Sequence, residues 1–159
     1  MISRDDLRQA VIFEDLPDHL LDLVITVSKP KAFEEGEQVF KEGEPAGMFY
    51  MVRNGAVLIE QDISETTTVA VANLTPGECF GYSSITEEHT FSSSAICTEA
   101  SEIIAFDTKA LFDLMEKNHT LGYIIHSRMN KIIAQRLIRR TEQFLRALST
   151  HPEIHELQE

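Results

Sequence analysis

A chain of 159 residues, 43% hydrophobic and 25% charged, has the size and composition of one folded domain that needs no disulfide or metal to bury a core. That excludes a wholly disordered chain, a collagen-like repeat and a cysteine-stapled mini-protein, and no apolar run reaches the ~18 residues of a membrane span. The net charge of −12 is uneven: residues 1–120 carry 8 Lys+Arg against 22 Asp+Glu, whereas residues 121–150 carry 6 against 1.

An acidic body repels nucleic-acid phosphate. The basic stretch is therefore expected to lie against acidic protein surface, its own or a twin's, and DNA contact is not expected of this chain. Asp5 and Asp6 stand where a secretory leader would run apolar. Cys79 and Cys97 match no zinc spacing, so reduced thiols and a cytoplasmic location are expected.

In chain order, residues 3–28 read as helical, with Leu7, Val11, Leu16, Leu20, Leu21, Leu23 and Val24 recurring at helical spacings. Asp15 is the expected cap, with Pro17 in the first turn. From about residue 31 to 106 the texture changes to short apolar runs separated by glycine, proline and acidic turns. Strands are expected at 32–33, 38–40, 48–53, 56–61, 67–74, 79–80, 92–97 and 101–106. Asn54-Gly55 between alternating segments is the strongest hairpin signal. So many short strands in so few residues point to a small sandwich or barrel.

After Phe106 the helical period returns. Asp107 or Thr108 can cap a helix over 109–117, and a long helix is expected from about 121 to 149. Its apolar positions exceed what one side of a helix on a small domain can bury. Ile125, Met129, Ile132 and Leu137 are therefore expected to meet a second copy, as in a short parallel coiled coil. Pro152 is expected to end the helix. The layout is thus residues 1–120 as a body, 121–150 as a helix and 151–159 as a tail.

The segment Gly36-Glu37-Gln38-Val39-Phe40-Lys41-Glu42-Gly43-Glu44-Pro45-Ala46-Gly47 continues into Met48-Phe49-Tyr50-Met51-Val52-Arg53-Asn54-Gly55. Glycines recur at fixed offsets around alternating apolar residues, as at the corners of a rolled antiparallel sheet. A second signature follows: Leu74-Thr75-Pro76-Gly77-Glu78-Cys79-Phe80-Gly81. The pair resembles the signatures of the cyclic nucleotide-binding domain of the catabolite-activator and fumarate–nitrate-reductase regulators. The resemblance covers residues 10 to about 146. It implies a mostly β fold, a jelly-roll-like double-stranded β-helix with an N-terminal helix and a long C-terminal dimerisation helix.

The same resemblance implies a ligand site after the second signature, in Phe80, Gly81, Tyr82, Ser83 and Ser84 and again in Phe91, Ser92 and Ser93. In cyclic nucleotide binders of this family a glutamate there holds the ribose and an arginine neutralises the phosphate. Tyr82 stands at the glutamate position and Phe91 at the arginine position, with Ser92 matching the neighbouring hydroxyl residue. A phosphate deprived of its paired cation loses charge-assisted hydrogen bonds and faces a desolvation cost, together several kcal/mol. Two outcomes are open: a neutral pocket for another small ligand, or a roll filled by its own Tyr82 and Phe91 rings. On the long helix, Arg140 and Thr141 match the family's purine-facing positions and Arg136 could supply the missing cation; the favoured alternative is that Arg136, Arg139 and Arg140 are solvated or pair with the acidic body.

Other constellations are weaker. His151 and His155 have the i, i+4 spacing of a metal pair but no third ligand nearby. His89 is the single histidine of the sheet region, which argues against a cupin-type metal centre. Some relatives of the regulator family bind haem, for which Cys79, His89 and Cys97 are candidates, but buried cysteines are more often core. No nucleophile elbow or phosphate loop is present, and no enzyme is expected. No cofactor is assigned beyond a cyclic nucleotide or other small ligand. The expected form is a stand-alone sensory module that signals through its C-terminal helix to an unidentified protein partner. The alternatives are a ligand-free interaction dimer, or the sensory half of a longer transcription regulator.

Overall fold

The computed structural model describes residues 1–86 and 89–149. Two short helices, α1 (Arg4–Arg8) and α2 (Asp18–Thr26), precede eight strands. These are β1 (Ser28–Phe33), β2 (Gln38–Phe40), β3 (Met48–Asn54), β4 (Val57–Ser64), β5 (Thr67–Leu74), β6 (Cys79–Phe80), β7 (Ser94–Cys97) and β8 (Ser101–Asp107). A 3-10 turn, Tyr82–Ser84, follows β6, and two helices come after β8: α3 (Thr108–Lys117) and α4 (His119–Ser149).

The strands form two antiparallel four-stranded sheets, ordered β1-β8-β3-β6 and β2-β7-β4-β5. The fold is therefore the expected β-roll with flanking helices. Period-two alternation on β3 explains how the rolled sheet makes two cores. Tyr50 and Val52 face the other sheet, in a cluster with Phe40, Phe80, Phe91, Ile103 and Ala105. Phe49 faces outward onto Phe106, which in turn meets Phe13. Gly77, at φ 88, turns the chain so close to the N-terminal segment that a Cβ would run into the Gln9 carbonyl.

The N-terminal helix does not run through residues 3–28. Ser3 caps α1 through a reciprocal capping box with Asp6, and the chain then turns before Pro17 precedes α2. Ala10, Ile12, Phe13 and Leu16 are all buried although none is helical. Their spacing reflects burial of a turn, not a helix face. Asp15 does not cap α2, whose N-cap position is Pro17. At α3 the expectation is met: the Asp107 carboxylate accepts the Ala110 N–H at 2.9 Å.

The chain divides into two compact units, Met1–Tyr123 and a second beginning at Ile124. Within the second, exposure changes along α4. Ile125 and Met129 are buried and Ile132 is half-buried, whereas Leu137 is 66% exposed. Ile133, Ile138, Phe144 and Leu145 are exposed as well. Pro152, His151 and His155 lie outside the described residues. No described helix is long and apolar enough to cross a membrane.

Candidate functional site

The cassette begins where β6 ends. Gly81 adopts φ 78, and a side chain there would collide with the Tyr50 ring and crowd the Met48 carbonyl. That bend launches the 3-10 turn, closed by Ser84 N–H to the Gly81 carbonyl at 3.1 Å. Ser84 is buried: its hydroxyl donates to the Gly81 carbonyl at 2.8 Å and accepts from the Thr108 hydroxyl at 3.0 Å. Of the cassette serines, Ser84 is thus tied to α3. Thr108, its partner, escaped sequence reasoning because nothing local marks a contact 24 residues away.

Ser83 and Ser92 come together across the cassette. Their hydroxyls lie 3.4 Å apart, and Ser92 N–H donates to Ser83 Oγ at the same distance. Gln61 on β4 donates to the Ser92 carbonyl at 2.9 Å. The returning limb is stitched to the turn after β2: Gly43 N–H donates to the Phe91 carbonyl and Phe91 N–H to the Glu44 carbonyl. Ser93 is half-buried beside them.

That pinning decides where Phe91 points. Its ring is 5% exposed and lies on Phe40, with centroids 3.7 Å apart and planes 14° apart. Tyr50 and Phe80 complete the cluster: Phe80 lies 5.9 Å from Phe40 and 5.2 Å from Tyr50. Burial, with the Glu44 charge added, pushes the Tyr50 phenol above its ordinary value, so the ring stays neutral. Phe40 and Tyr50 were not singled out from sequence as site residues. The alternation of β2 and β3 could have flagged them, but only the fold brings them under Phe91.

Tyr82 goes elsewhere. Its ring meets Phe49 edge-on at 5.2 Å, on the opposite side of β3 from Tyr50. Of the two rings expected to occupy the roll, Phe91 does so and Tyr82 does not. Residues 54–108 contain no lysine or arginine. Any ligand in the cassette therefore meets hydroxyls, backbone N–H groups and aromatic faces, with no fixed cation from that stretch.

The helix candidates Arg136, Arg140 and Thr141 stand on α4 in the second unit. Arg136 is half-buried, Arg140 and Thr141 are exposed, and the Thr141 hydroxyl donates to the Leu137 carbonyl at 2.9 Å. Cys79 and Cys97 are buried thiols. Burial and the Glu37 charge push Cys97 up against an opposing hydrogen bond with Ser101, which keeps it a protonated core side chain. Among the described residues, no three His, Cys, Asp or Glu side chains are placed to share a metal ion.

Comparison with known proteins agrees with this geometry. The family model for the cyclic nucleotide-binding domain matches residues 30–118. The cyclic AMP receptor protein of Thermus thermophilus is 24% identical over 131 residues, which is 82% of this chain and 59% of that protein. The chain thus spans about three fifths of that relative's length. The crystal structure of the Thermus thermophilus catabolite activator protein superposes with a TM-score of 0.74 at 24% identity, covering 88% of this chain and 63% of that one. A cyclic nucleotide-binding domain from Methylobacillus flagellatus gives a TM-score of 0.82 at 17% identity, covering 91% of this chain and 83% of that one. The sheet order, the two signatures and the family match lead to one conclusion: this chain belongs to the cyclic nucleotide-binding domain family.

Proposed function

We propose that this protein is a non-catalytic regulatory module whose roll responds to a small ligand other than a conventional cyclic nucleotide. The observation that carries this reading is the Phe91–Phe40 stack, a buried pair of rings that includes the position the family resemblance assigns to an arginine. An uncharged ligand with an aromatic or apolar face suits the site. Phe91, Phe40 and Phe80 provide a floor, and Ser83, Ser92 and Ser93 a hydroxyl rim. A phosphate monoanion would be held only by neutral donors there, at a cost of several kcal/mol against a paired site.

The signal leaves through α4. Its exposed apolar residues Ile133, Leu137 and Phe144 are spaced by four and seven, which aligns them on one helical stripe suited to a parallel two-fold dimer. Ile125 and Met129 are buried within the single chain. Ligand occupancy that changes the helix population changes the surface shown to a protein partner.

Thermal-shift measurements against a panel of uncharged aromatic compounds and the common cyclic nucleotides test the reading. Stabilisation by a neutral compound, reduced by Ser92→Ala, supports it. Stabilisation by cyclic AMP or cyclic GMP at micromolar concentration would overturn it. A second reading rests on the same stack: if the ring closes the roll permanently, no compound of either class shifts the transition and the protein is a ligand-free interaction dimer.

A further inference from the structure

Away from the cassette, a cavity of about 200 Å³ opens at the end of the sheet that carries β1 and β8. Val27, Met48, Ala105 and Ala110 give it an apolar lining, and Lys29, Lys31, Thr26 and Asp107 a polar one. Directly opposed residues of an antiparallel pair share a face. Lys29 stands opposite Ala105 and Lys31 opposite Ile103, so both lysines rise from the roll-facing side of that sheet. Residues of the cassette contribute nothing to this lining.

Charge makes the placement notable. Only 8 of the first 120 residues are lysine or arginine, and just three lie within strands: Lys29, Lys31 and Arg53. Arg53 is engaged by Asp6 at 2.9 Å and by Glu102 at 3.3 Å. Among the described residues neither Lys29 nor Lys31 enters an ion pair. Asp107, also on the lining, accepts the Ala110 N–H at 2.9 Å through one carboxylate oxygen and enters no ion pair with either lysine among the described residues. In a body this acidic, two adjacent ammonium groups without an ion-pair partner stand at an apolar floor, and against the one carboxylate of the lining, Asp107, they leave the cavity a net positive charge. Aspartate and glutamate side chains of neighbouring loops would otherwise be the natural partners, and none is recruited.

We propose that this cavity is a second ligand site, which takes a small organic carboxylate. The anionic head sits on Lys29 and Lys31, and the apolar body on Val27, Met48, Ala105 and Ala110. The volume admits a compact aromatic or medium-chain acid, and is below the ~300 Å³ at which drug-sized ligand pockets begin. The apolar floor selects an organic anion over a bare inorganic one. This site is independent of the roll cassette, and either can fail without the other.

The test is an isotope-edited NMR titration of the full chain with benzoate and with hexanoate, alongside benzamide and hexanol as uncharged counterparts. The expected result is saturable shifts at the amides of Lys29, Lys31 and Ala110, with each carboxylate at least tenfold tighter than its neutral counterpart. Lys29→Ala with Lys31→Ala is expected to weaken carboxylate binding at least tenfold. Ala110→Phe, which fills the floor and leaves both lysines in place, is expected to abolish it while the spectrum stays folded. Absence of saturation for both acids at millimolar concentration would overturn the proposal. So would equal affinity in the double lysine variant, or shifts confined to Phe91, Ser83 and Ser92.

Discussion

Phe91 lies flat on Phe40, ring centroids 3.7 Å apart, and its backbone is held from both sides by the Gly43 N–H and the Glu44 carbonyl. One aromatic side chain thereby joins the ligand cassette to the core of the roll. The stack is part of the folding core, and no lysine or arginine stands anywhere from residue 54 to 108. Removing the ring by Phe91→Ala is expected to cost about 3–5 kcal/mol, read from urea unfolding. Phe91→Leu should cost much less, since most of the volume is kept. A loss below about 1 kcal/mol for the alanine variant would mean the ring contributes little to the core.

Restoring both family anchors is the complementary change. Tyr82→Glu alone is expected to leave cyclic nucleotide affinity unchanged, because the Tyr82 ring faces Phe49 and not the roll. Tyr82→Glu combined with Phe91→Arg should lower apo stability, since a charge replaces a stacked ring, yet raise cyclic AMP affinity at least about tenfold. Calorimetry on the folded double variant measures both. A stable double variant with no gain would show that the cassette backbone itself no longer receives a phosphate.

Asp6 ties α1 to β3. Burial pushes its carboxyl up, but hydrogen bonds from the Ser3 N–H and hydroxyl and from Arg53 outweigh that and hold it below the usual value of 3.8. A carboxyl lowered in the folded state stabilises fully above its unfolded pKa and loses that contribution as pH falls through the folded one. Acid unfolding should therefore steepen below about pH 4. Asp6→Asn should destabilise the protein at pH 7 and flatten that acid limb, both followed by circular dichroism. An unchanged pH profile would place the acid sensitivity elsewhere.

Leu137 offers the most open apolar side chain among the four expected dimer residues. Leu137→Glu is expected to shift the sedimentation mass from dimer to monomer, with an unaltered fold by circular dichroism. Ile125→Glu should instead unfold or destabilise the chain, since that side chain is buried within it. A parent protein that sediments as a monomer would remove α4 as an assembly surface.

How far the sequence foretold the molecule depends on the range of the forces involved. The strands between 38 and 107 were legible because alternation and glycine turns are local, and β5 was placed over its full observed span. Asp107 at the start of α3 was legible for the same reason. The N-terminus was not: Val11 and Leu16 fall on the helical spacing, but a chain reversal leaves Val11 exposed and buries Leu16 with Ile12 and Phe13. In the site, the loss of charge at Tyr82 and Phe91 could be read from the motif. The direction of each ring could not, because it follows from cross-strand partners, Phe40 for one and Phe49 for the other. The cavity beside Lys29 and Lys31 was equally hidden, as it exists only once β1 pairs with β8.

The most direct test of the central claim is isothermal titration of the unaltered protein with cyclic AMP and cyclic GMP. A roll with Phe91 stacked on Phe40 and no cation between residues 54 and 108 is expected to give no saturable heat at micromolar ligand. Saturable micromolar binding of either nucleotide, lost on Ser83→Ala with Ser92→Ala, would contradict it.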